Sequence, residues 1–259
     1  DGNGNLLIDL DICGKTVVNE VKLLTTVSSG NTIIQTHSFT LSCDSQIFFE
    51  GETIFGYFSE EALAAQVGLD GGKKALPWID ETPSVSSILV ELQSTKSRKD
   101  LGEQSERPHF KLGSGQLMLS DILKIVPDGG KFSNGYVYAR KEINQGNWFF
   151  PCHFHGDPVM PGSLGVEAII QALQAFALRH GLGNSFKNPR FSPVLSKVVW
   201  KYRGQIIPQT KYMQLEVHLK NIEQKEGQLI LTADANLWRE DLRIYEIIDI
   251  AVGISETEK

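Results

Sequence analysis

The sequence has few cysteines and no long uninterrupted apolar run. Its three cysteines, Cys13, Cys43 and Cys152, are too few and too far apart for a disulfide framework or a paired CxxC metal site. They are typical of a protein kept in a reducing compartment, and we expect a cytoplasmic location. No stretch of about 18 apolar residues could span a bilayer, and no charged-then-apolar leader opens the sequence. These absences argue against a membrane-spanning or disulfide-stapled protein.

Basic residues are also scattered. The 259 residues carry a net charge of −6, and the one loose basic cluster, Lys96, Arg98 and Lys99, lies among serines and acids. Because a nucleic-acid-binding surface needs a basic stripe or patch, we expect no nucleic-acid partner. Asp1 rather than Met opens the sequence, and we interpret the chain as a segment of a longer polypeptide.

Three regions follow one another along the chain. Residues 1–69 are rich in strand-forming runs and end in a short helical patch. Residues 70–107 contain glycines, prolines and a polar run, and they are interpreted as a linker with ordered pieces around Trp78 and Ile88–Leu92. Residues 108–259 are predicted to form strands around one long helix.

Strict alternation marks one C-terminal strand. From residue 213 to residue 220 every odd position is apolar and every even position is polar. This pattern predicts an antiparallel strand with one face against the core and one face in solvent. It places His218 on the solvent face, so we expect no chemical role for that residue.

A weak internal repeat relates the two ends of the chain. Sliding residues 34–58 onto residues 230–254, an offset of 196 (230 − 34), superposes Ile34 on Ile230. We therefore interpret the N-terminal region as the strand-rich tail of a second copy of the C-terminal fold. That tail has no counterpart of the long helix, so we expect it to be catalytically empty.

The long helix is the most informative element. Ser163 predicts its N-cap and Gly181 its C-terminal stop, and between them nearly every face is apolar, which predicts a buried helix. The exceptions follow one line at i, i+4 and i+7, and they are Glu167, Gln171 and Gln174. Burial is expected to raise the pKa of Glu167, as a general acid requires. The alternative is a structural glutamate hydrogen-bonded to a neighbouring element.

Two histidines and a glycine precede this helix. His153 and His155 share a face if their segment is extended, and they stand beside phenylalanines that we expect to be buried. A lone histidine is more often a core residue, but this pair beside a helix-opening turn favours a functional role. Gly162 would place backbone N–H groups at the positive end of the helix dipole, where a thioester oxygen is stabilised, although a plain tight turn also uses glycine. Cys152 is expected to be a buried thiol.

Residues 148–168, WFFPCHFHGDPVMPGSLGVEA, resemble the bacterial β-hydroxydecanoyl-ACP dehydratase family of hot-dog enzymes. The shared pattern is Trp-Phe-Phe, then His-Phe-x-Gly-Asp-Pro-x-Met-Pro-Gly, then an acid on the central helix, here Glu167. Weaker similarity extends from Gln116-Leu117-Met118-Leu119 to about Ile254. Residues 51–72 look like the segment before such a domain in polyunsaturated fatty-acid synthase subunits, which carry dehydratase domains in tandem.

The resemblance implies an α+β hot-dog fold, in which an antiparallel sheet wraps around a long buried central helix, with a partial hot dog at the N-terminus. It implies dehydration of 3-hydroxyacyl thioesters to trans-2-enoyl thioesters in fatty-acid biosynthesis. His153 would remove the α-proton, Glu167 would protonate or orient the departing hydroxyl, and the Gly162 N–H would bind the thioester oxygen.

The resemblance also implies the surroundings of the site. Val159 lies where the family's backbone carbonyl orients the histidine ring, and His155 and Gln171 are expected beside the substrate. No metal or organic cofactor is implied, since the thioester acidifies the α-proton and the phosphopantetheine arm belongs to an acyl carrier protein. That carrier and other synthase domains are the expected partners.

In hot-dog dehydratases the histidine and the acid of one site come from two hot dogs. We therefore expect either a homodimer through the C-terminal region or pairing with a hot dog outside this segment. Glu167 replaces the aspartate of the isomerising bacterial enzyme, which puts 2-trans to 3-cis isomerisation in doubt, and His155 replaces an apolar residue. The alternatives are a hot-dog thioesterase, a non-catalytic structural hot dog, and a zinc enzyme using His153, His155 and Glu167.

Overall fold

A computed structural model of the chain describes residues 1–92, 101, 107, 109–112, 122–225 and 227–257. The basic cluster Lys96, Arg98 and Lys99 and the weakly similar stretch at 116–119 lie outside these residues. The strands of the described part are β1 Gly2–Leu6, β2 Val17–Ser29, β3 Thr32–Cys43, β4 Gln46–Tyr57, β5 Ile88–Glu91, β6 Ile122–Val126, β7 Tyr136–Glu142, β8 Pro189–Ser192, β9 Lys197–Tyr202, β10 Tyr212–Lys225, β11 Gln228–Arg239 and β12 Leu242–Glu256. Its α-helices are α1 Glu60–Ala64, α2 Trp78–Glu81 and α3 Gly162–Arg179.

One antiparallel sheet contains these strands. Their order is β2-β3-β4-β1-β9-β12-β11-β10-β7-β6-β5, and β8 pairs with β12. The C-terminal strands wrap around helix α3, whose apolar side chains share one core with β7, β10, β11 and β12. This is the antiparallel sheet around a buried helix that the sequence predicts.

The alternating strand β10 is buried on both faces, so the prediction of a solvent-facing side is wrong. Met213, Leu215, Val217 and Leu219 join the core around α3. On the opposite face Gln214, Glu216 and His218 are also buried. The reason is that helix α2 lies over this face, and the backbone N–H of Trp78 donates to the Glu216 carboxylate at 2.8 Å. A strand whose polar face is covered by a distant segment has the same apolar-polar alternation as a strand whose polar face is in solvent, so the sequence pattern alone cannot distinguish the two.

The described part of the predicted linker, residues 70–107, packs on the sheet. Arg243 of β12 forms a two-pronged ion pair with Asp70, at 2.5 and 2.9 Å, and the Trp238 indole donates to the carbonyl of Ala75 at 2.8 Å. Strand β5 then pairs with β6 at the sheet edge. The ordered pieces expected around Trp78 and Ile88–Leu92 correspond to α2 and β5, whereas the division of the chain into domains stays a prediction.

The internal repeat is present in the strand pairing. With the offset of 196, the β2–β3 pair Val17–Cys43 corresponds to the β10–β11 pair Met213–Arg239. A register shift after Leu23 corresponds to one after Leu219, and the shift after Leu41 corresponds to one after Leu237. One further shift, between Ala233 and Ala235, is confined to the C-terminal copy within the described residues.

Strands β1 and β9 complete this correspondence. Leu6 pairs with Phe49 as Tyr202 pairs with Tyr245, which is again the offset of 196. The two strands also pair with each other, and Asn3 lies opposite its own counterpart, Val199. An approximate two-fold axis therefore passes through the Asn3–Val199 pair and relates β1–β4 to β9–β12.

Candidate active site

Helix α3 begins two residues earlier than the sequence predicts. Pro161 is the N-cap residue, with φ at −52° and no side-chain cap, and Ser163 lies exposed inside the first turn. The fixed φ of proline starts the helix without a capping hydroxyl. At the other end His180 caps the helix and Gly181 takes a left-handed φ of 64°, so the predicted stop is confirmed.

The segment before α3 consists of turns, so the extended conformation that would align His153 with His155 is absent. The backbone N–H of His153 donates to the carbonyl of Phe149 at 3.0 Å, which is the spacing of a helical turn. His153 is partly buried and His155 is exposed. Phe149 and Phe150 are buried as expected, but Phe154 is exposed.

Cys152 lies on the exposed side of the same turns, so the expectation of a buried thiol is wrong. The turn geometry explains both exposed side chains, since Cys152 and Phe154 flank the partly buried His153.

His153 forms hydrogen bonds with both backbone polar groups of Val159. Its ring Nδ1 lies 3.0 Å from the carbonyl oxygen of Val159, and the Val159 N–H donates to the carbonyl of His153 at 3.3 Å. The next residue, Met160, anchors this loop by donating to the carbonyl of Ile206 at 2.8 Å. The expected contact between the Val159 carbonyl and the histidine ring is therefore present.

This contact determines the tautomer of the neutral ring. A carbonyl oxygen can only accept a hydrogen bond, so the proton must be on Nδ1. Nε2 then carries the free lone pair, and it has no hydrogen-bond partner in the described part of the chain. An imidazole in this state can take a proton from a substrate.

The polar line on α3 includes one internal hydrogen bond. The amide of Gln171 donates to the Glu167 carboxylate at 2.9 Å. Gln171 is buried, whereas Glu167 and Gln174 are partly buried, so the carboxylate is less enclosed than a fully buried helix suggests. An apolar groove of about 320 Å³ runs beside this line between α3, β8 and β12, and Ile170, Gln174 and Val252 contribute to its walls.

Gly162 is the first residue of α3, so its N–H is one of the free donors at the helix start. Its carbonyl accepts from the Tyr245 hydroxyl at 3.3 Å. Burial raises the pKa of Tyr245 well above its usual value, so the phenol stays neutral and donates. A Cβ at position 162 would meet only this hydroxyl, at 3.6 Å, so the chain's own packing does not require glycine there.

His153 and Glu167 are near in sequence but are not joined by a hydrogen bond in the described part of the chain. The described residues contain no group of three His, Cys, Asp or Glu side chains that could hold an ion, so they do not bring His153, His155 and Glu167 together as the zinc alternative requires. In that same part of the chain no helix is long and apolar enough to cross a membrane.

Sequence reasoning missed a buried polar cluster on the outer face of the sheet. The Glu216 carboxylate accepts from the Trp78 N–H at 2.8 Å, the Tyr136 hydroxyl at 3.0 Å and the Asn236 amide at 2.9 Å. His218 lies 3.1 Å from the other side of that carboxylate and accepts from the Lys131 N–H through Nδ1. All partners are on the side away from α3, so this cluster is structural.

The sequence is similar to known proteins over its whole length. Residues 113–248, just over half of the chain, match the family described as the FabA-like domain. The whole chain aligns at 37% identity with a polyunsaturated fatty acid synthase polypeptide of Thraustochytrium sp., and it spans 18% of that protein.

Among solved structures, the dehydratase domain from the CurJ module of curacin polyketide synthase superposes with a TM-score of 0.52 at 12% identity. That superposition covers 98% of this chain and 74% of the CurJ chain. At such low identity the similarity concerns the fold alone, and it confirms the predicted fold class.

Proposed function

Because this chain belongs to the FabA-like domain family, we propose that it dehydrates 3-hydroxyacyl thioesters to trans-2-enoyl thioesters in fatty-acid or polyunsaturated fatty-acid synthesis. The observation that carries the proposal is the state of His153. Its Nδ1 is occupied by the Val159 carbonyl, and its Nε2 is left free as a base next to the start of α3. A base beside a helix N-terminus suits proton abstraction α to a carbonyl.

The first half of the reaction uses His153 and Gly162. Nε2 of His153 takes the α-proton, and the electron pair of the C–H bond moves toward the thioester carbonyl. Negative charge then develops on the thioester oxygen, and the Gly162 N–H at the positive end of the α3 dipole donates to it. The space over Gly162, which the chain itself does not fill, is where the thioester would approach.

The second half of the reaction uses a carboxylic acid on the central helix, which in this chain is Glu167. As the α,β double bond forms, the bond between the β-carbon and its hydroxyl breaks, and the acid gives that oxygen a proton so that water leaves. Gln171 orients the carboxylate through the 2.9 Å hydrogen bond. Transfer of the proton from the histidine back to the acid through solvent restores the site.

We place the acid and the base of one site on two different hot dogs. In keeping with this, no hydrogen bond joins His153 to Glu167 in the described residues. A homodimer through the C-terminal region would need a free strand edge at β9, but β1 already pairs there. Since β1 closes that edge to any further hot dog, the second residue of the site would be supplied by a helix of another hot dog of the synthase.

The substrate would arrive on the phosphopantetheine arm of an acyl carrier protein, in a cytoplasmic synthase with further domains. The groove beside Ile170 and Gln174 is the candidate seat for the acyl chain. The proposed reaction needs no metal or organic cofactor, since the thioester itself makes the α-proton acidic.

The proposal is tested by supplying a 3-hydroxyacyl thioester to the synthase polypeptide that contains this chain and following the enoyl thioester. We expect Glu167→Gln to reduce turnover by about 100-fold or more, since the amide cannot give a proton. The matched control is Glu142→Gln, which changes an exposed glutamate and should leave turnover unchanged. Equal loss in both variants, or normal turnover in Glu167→Gln, would contradict the proposed acid.

The position of the double bond is a separate question. Glu167 stands where the isomerising bacterial enzyme has aspartate, so we expect the 2-trans product without the 3-cis isomer. Chromatography of the products distinguishes the two. A 3-cis product formed by the wild-type site would show that glutamate at this position is compatible with isomerisation.

A further inference from the structure

One face of the N-terminal strands β2, β3 and β4 is not covered by any other described part of the chain. We call this the open face, and its central residues are Val21, Leu23, Phe39, Leu41 and Phe55. They share one side of the sheet because Val21 pairs with Phe39, and Gln35, two residues before His37 on β3, pairs with Phe55. Aromatic contacts agree, since the Phe39 and Phe49 rings lie 5.6 Å apart.

The same positions in the C-terminal copy are covered by helix α3. Val217 and Leu219 of β10 are only 1% and 2% exposed, and they share the core of α3. Their counterparts at the offset of 196, Val21 and Leu23, are the same residue types but are 57% and 50% exposed. The difference is therefore in the covering element and not in the strands.

The reverse side of β2–β4 differs chemically from the open face. Many positions there are charged or hydroxylated, including Glu20, Lys22, Ser38, Thr40, Glu50 and Glu52, although Val27, Ile34 and Ile54 form an apolar part of that side. The side of a sheet that carries the larger apolar residues is the side that a further element covers. Val21, Leu23 and Phe55 are each 50% or more exposed on the open face, and such an exposed apolar cluster marks an interaction surface.

We propose that the open face docks an apolar α-helix of the α3 kind, carried by another hot-dog domain of the same synthase. The approximate two-fold axis through Asn3 and Val199 relates the open face to the face that α3 covers. Helix α3 itself is enclosed by the C-terminal strands, so it is not available. The similar synthase polypeptide extends far beyond the aligned region, which is 18% of its length.

The pattern of large and small side chains on the open face differs from the pattern under α3. Ala235 and Ile247 form a cross-strand pair under α3, whereas their counterparts are Phe39 and Gly51. The large and small positions are exchanged, and the Phe39 ring covers Gly51, where a Cβ would come within 2.8 Å of it. The docked helix must therefore place a small residue over Phe39.

His37 adds a polar requirement. It occupies the centre of the open face where the C-terminal copy has Ala233, and its ring packs edge-on against Phe55 at 5.9 Å. Its Nδ1 atom is buried and has no hydrogen-bond partner among the residues that the structure describes. Covering the ring further would take its other nitrogen out of water as well, so the docked helix should present one polar side chain to His37. An apolar helix with a polar line, as in α3, meets both requirements.

Cysteine accessibility tests the proposal. In a background with Cys13→Ser and Cys152→Ser, Val21→Cys reports on the open face and Lys22→Cys reports on the reverse side of the same strand. Each variant is labelled with N-ethylmaleimide in the 259-residue chain and in the synthase polypeptide that contains it. We expect similar rates in the chain alone and roughly tenfold or greater protection of Val21→Cys, but not of Lys22→Cys, in the synthase.

Two results would overturn the proposal. Equal labelling of Val21→Cys in the chain and in the synthase would show that nothing covers the open face. Protection in the chain alone that increases with its concentration would assign the face to a second copy. Leu23→Cys is a second probe of the open face should Val21→Cys alter folding. Because the proposal rests on the fold and not on the reaction, its failure is distinguishable from a failure of the dehydratase assignment.

Discussion

Gly162 and Gly165 lie within one turn of each other on helix α3, and their surroundings demand different things of them. A Cβ at Gly162 would meet only the Tyr245 hydroxyl at 3.6 Å, which is ordinary contact. A Cβ at Gly165 would come within 2.4 Å of the Tyr245 ring. The packing of the chain would therefore tolerate a side chain at position 162, whereas it requires glycine at position 165.

The two alanine variants should therefore have opposite phenotypes. Gly162→Ala should keep the melting temperature close to wild type but slow dehydration, because the added methyl lies where the thioester would approach. Gly165→Ala should lose about 1–3 kcal/mol of folding free energy, since the helix must move away from Tyr245. Thermal unfolding and initial rates measure both. Unchanged turnover in Gly162→Ala would remove Gly162 from the proposed oxyanion site.

The sequence predicts which residues belong to the site, but it does not predict which of their neighbours are buried. The motif predicts the contact between the Val159 carbonyl and the His153 ring, which the fold contains. Burial was less predictable, since Cys152 and Phe154 are exposed. Turn backbone directs successive side chains differently from a strand, and no periodicity in this short segment reveals that. The catalytic roles of His153, Glu167 and Gly162 stay predictions.

At the scale of elements, strand β10 is where a sequence pattern misleads. Its alternation correctly predicts an antiparallel strand, but the polar face is covered by a helix about 140 positions earlier. Only the three-dimensional fold brings Trp78 to Glu216. The cluster around Glu216 therefore could not be predicted from local sequence, although two polar residues at period two were visible.

Replacing Glu216 should loosen the segment around α2. Burial raises the pKa of the Glu216 carboxyl, but the hydrogen bonds that it accepts from His218, Trp78 and Asn236 outweigh burial, so the pKa is below its usual range. In Glu216→Gln the amide –NH₂ group would face these donors. We expect a loss of about 1–3 kcal/mol at neutral pH, measured by urea unfolding.

The pH dependence of this loss has a defined sign. A carboxyl whose pKa is lower in the folded state contributes stability above its unfolded pKa, which is about 4.3, and loses it as pH falls through the folded value. The difference between wild type and Glu216→Gln should therefore be full at neutral pH and shrink in acid. A difference that grew on acidification would contradict the lowered pKa.

At the scale of the whole molecule, the approximate two-fold axis relates two units, and only the C-terminal one contains a long helix among the described residues. The sequence repeat predicts the correspondence, and the offset of 196 relates three strand pairs and two register shifts of one unit to those of the other. The sequence could not predict that the two units meet through β1 and β9, because β1 is a five-residue strand with two glycines and little apolar character.

Gly51 tests this junction. A Cβ there would lie 2.1 Å from the Asn3 backbone oxygen, so Gly51→Ala must displace β1 from β4. We expect faster amide hydrogen exchange in β1–β4 and unchanged exchange in β10–β12, because the C-terminal unit has its own core around α3. Glu52→Ala, an exposed neighbour, is the control. Uniform acceleration in both units would show that they unfold together.

The central claim is that His153 is the base of a dehydratase site, and turnover of a 3-hydroxyacyl thioester by His153→Ala in the intact synthase tests it most directly. His155→Ala is the matched control, since that histidine is exposed and two residues away. We expect His153→Ala to lose about 100-fold or more of the enoyl-forming rate with an unchanged melting temperature, and His155→Ala to lose far less. A His153→Ala enzyme with wild-type turnover would contradict the account.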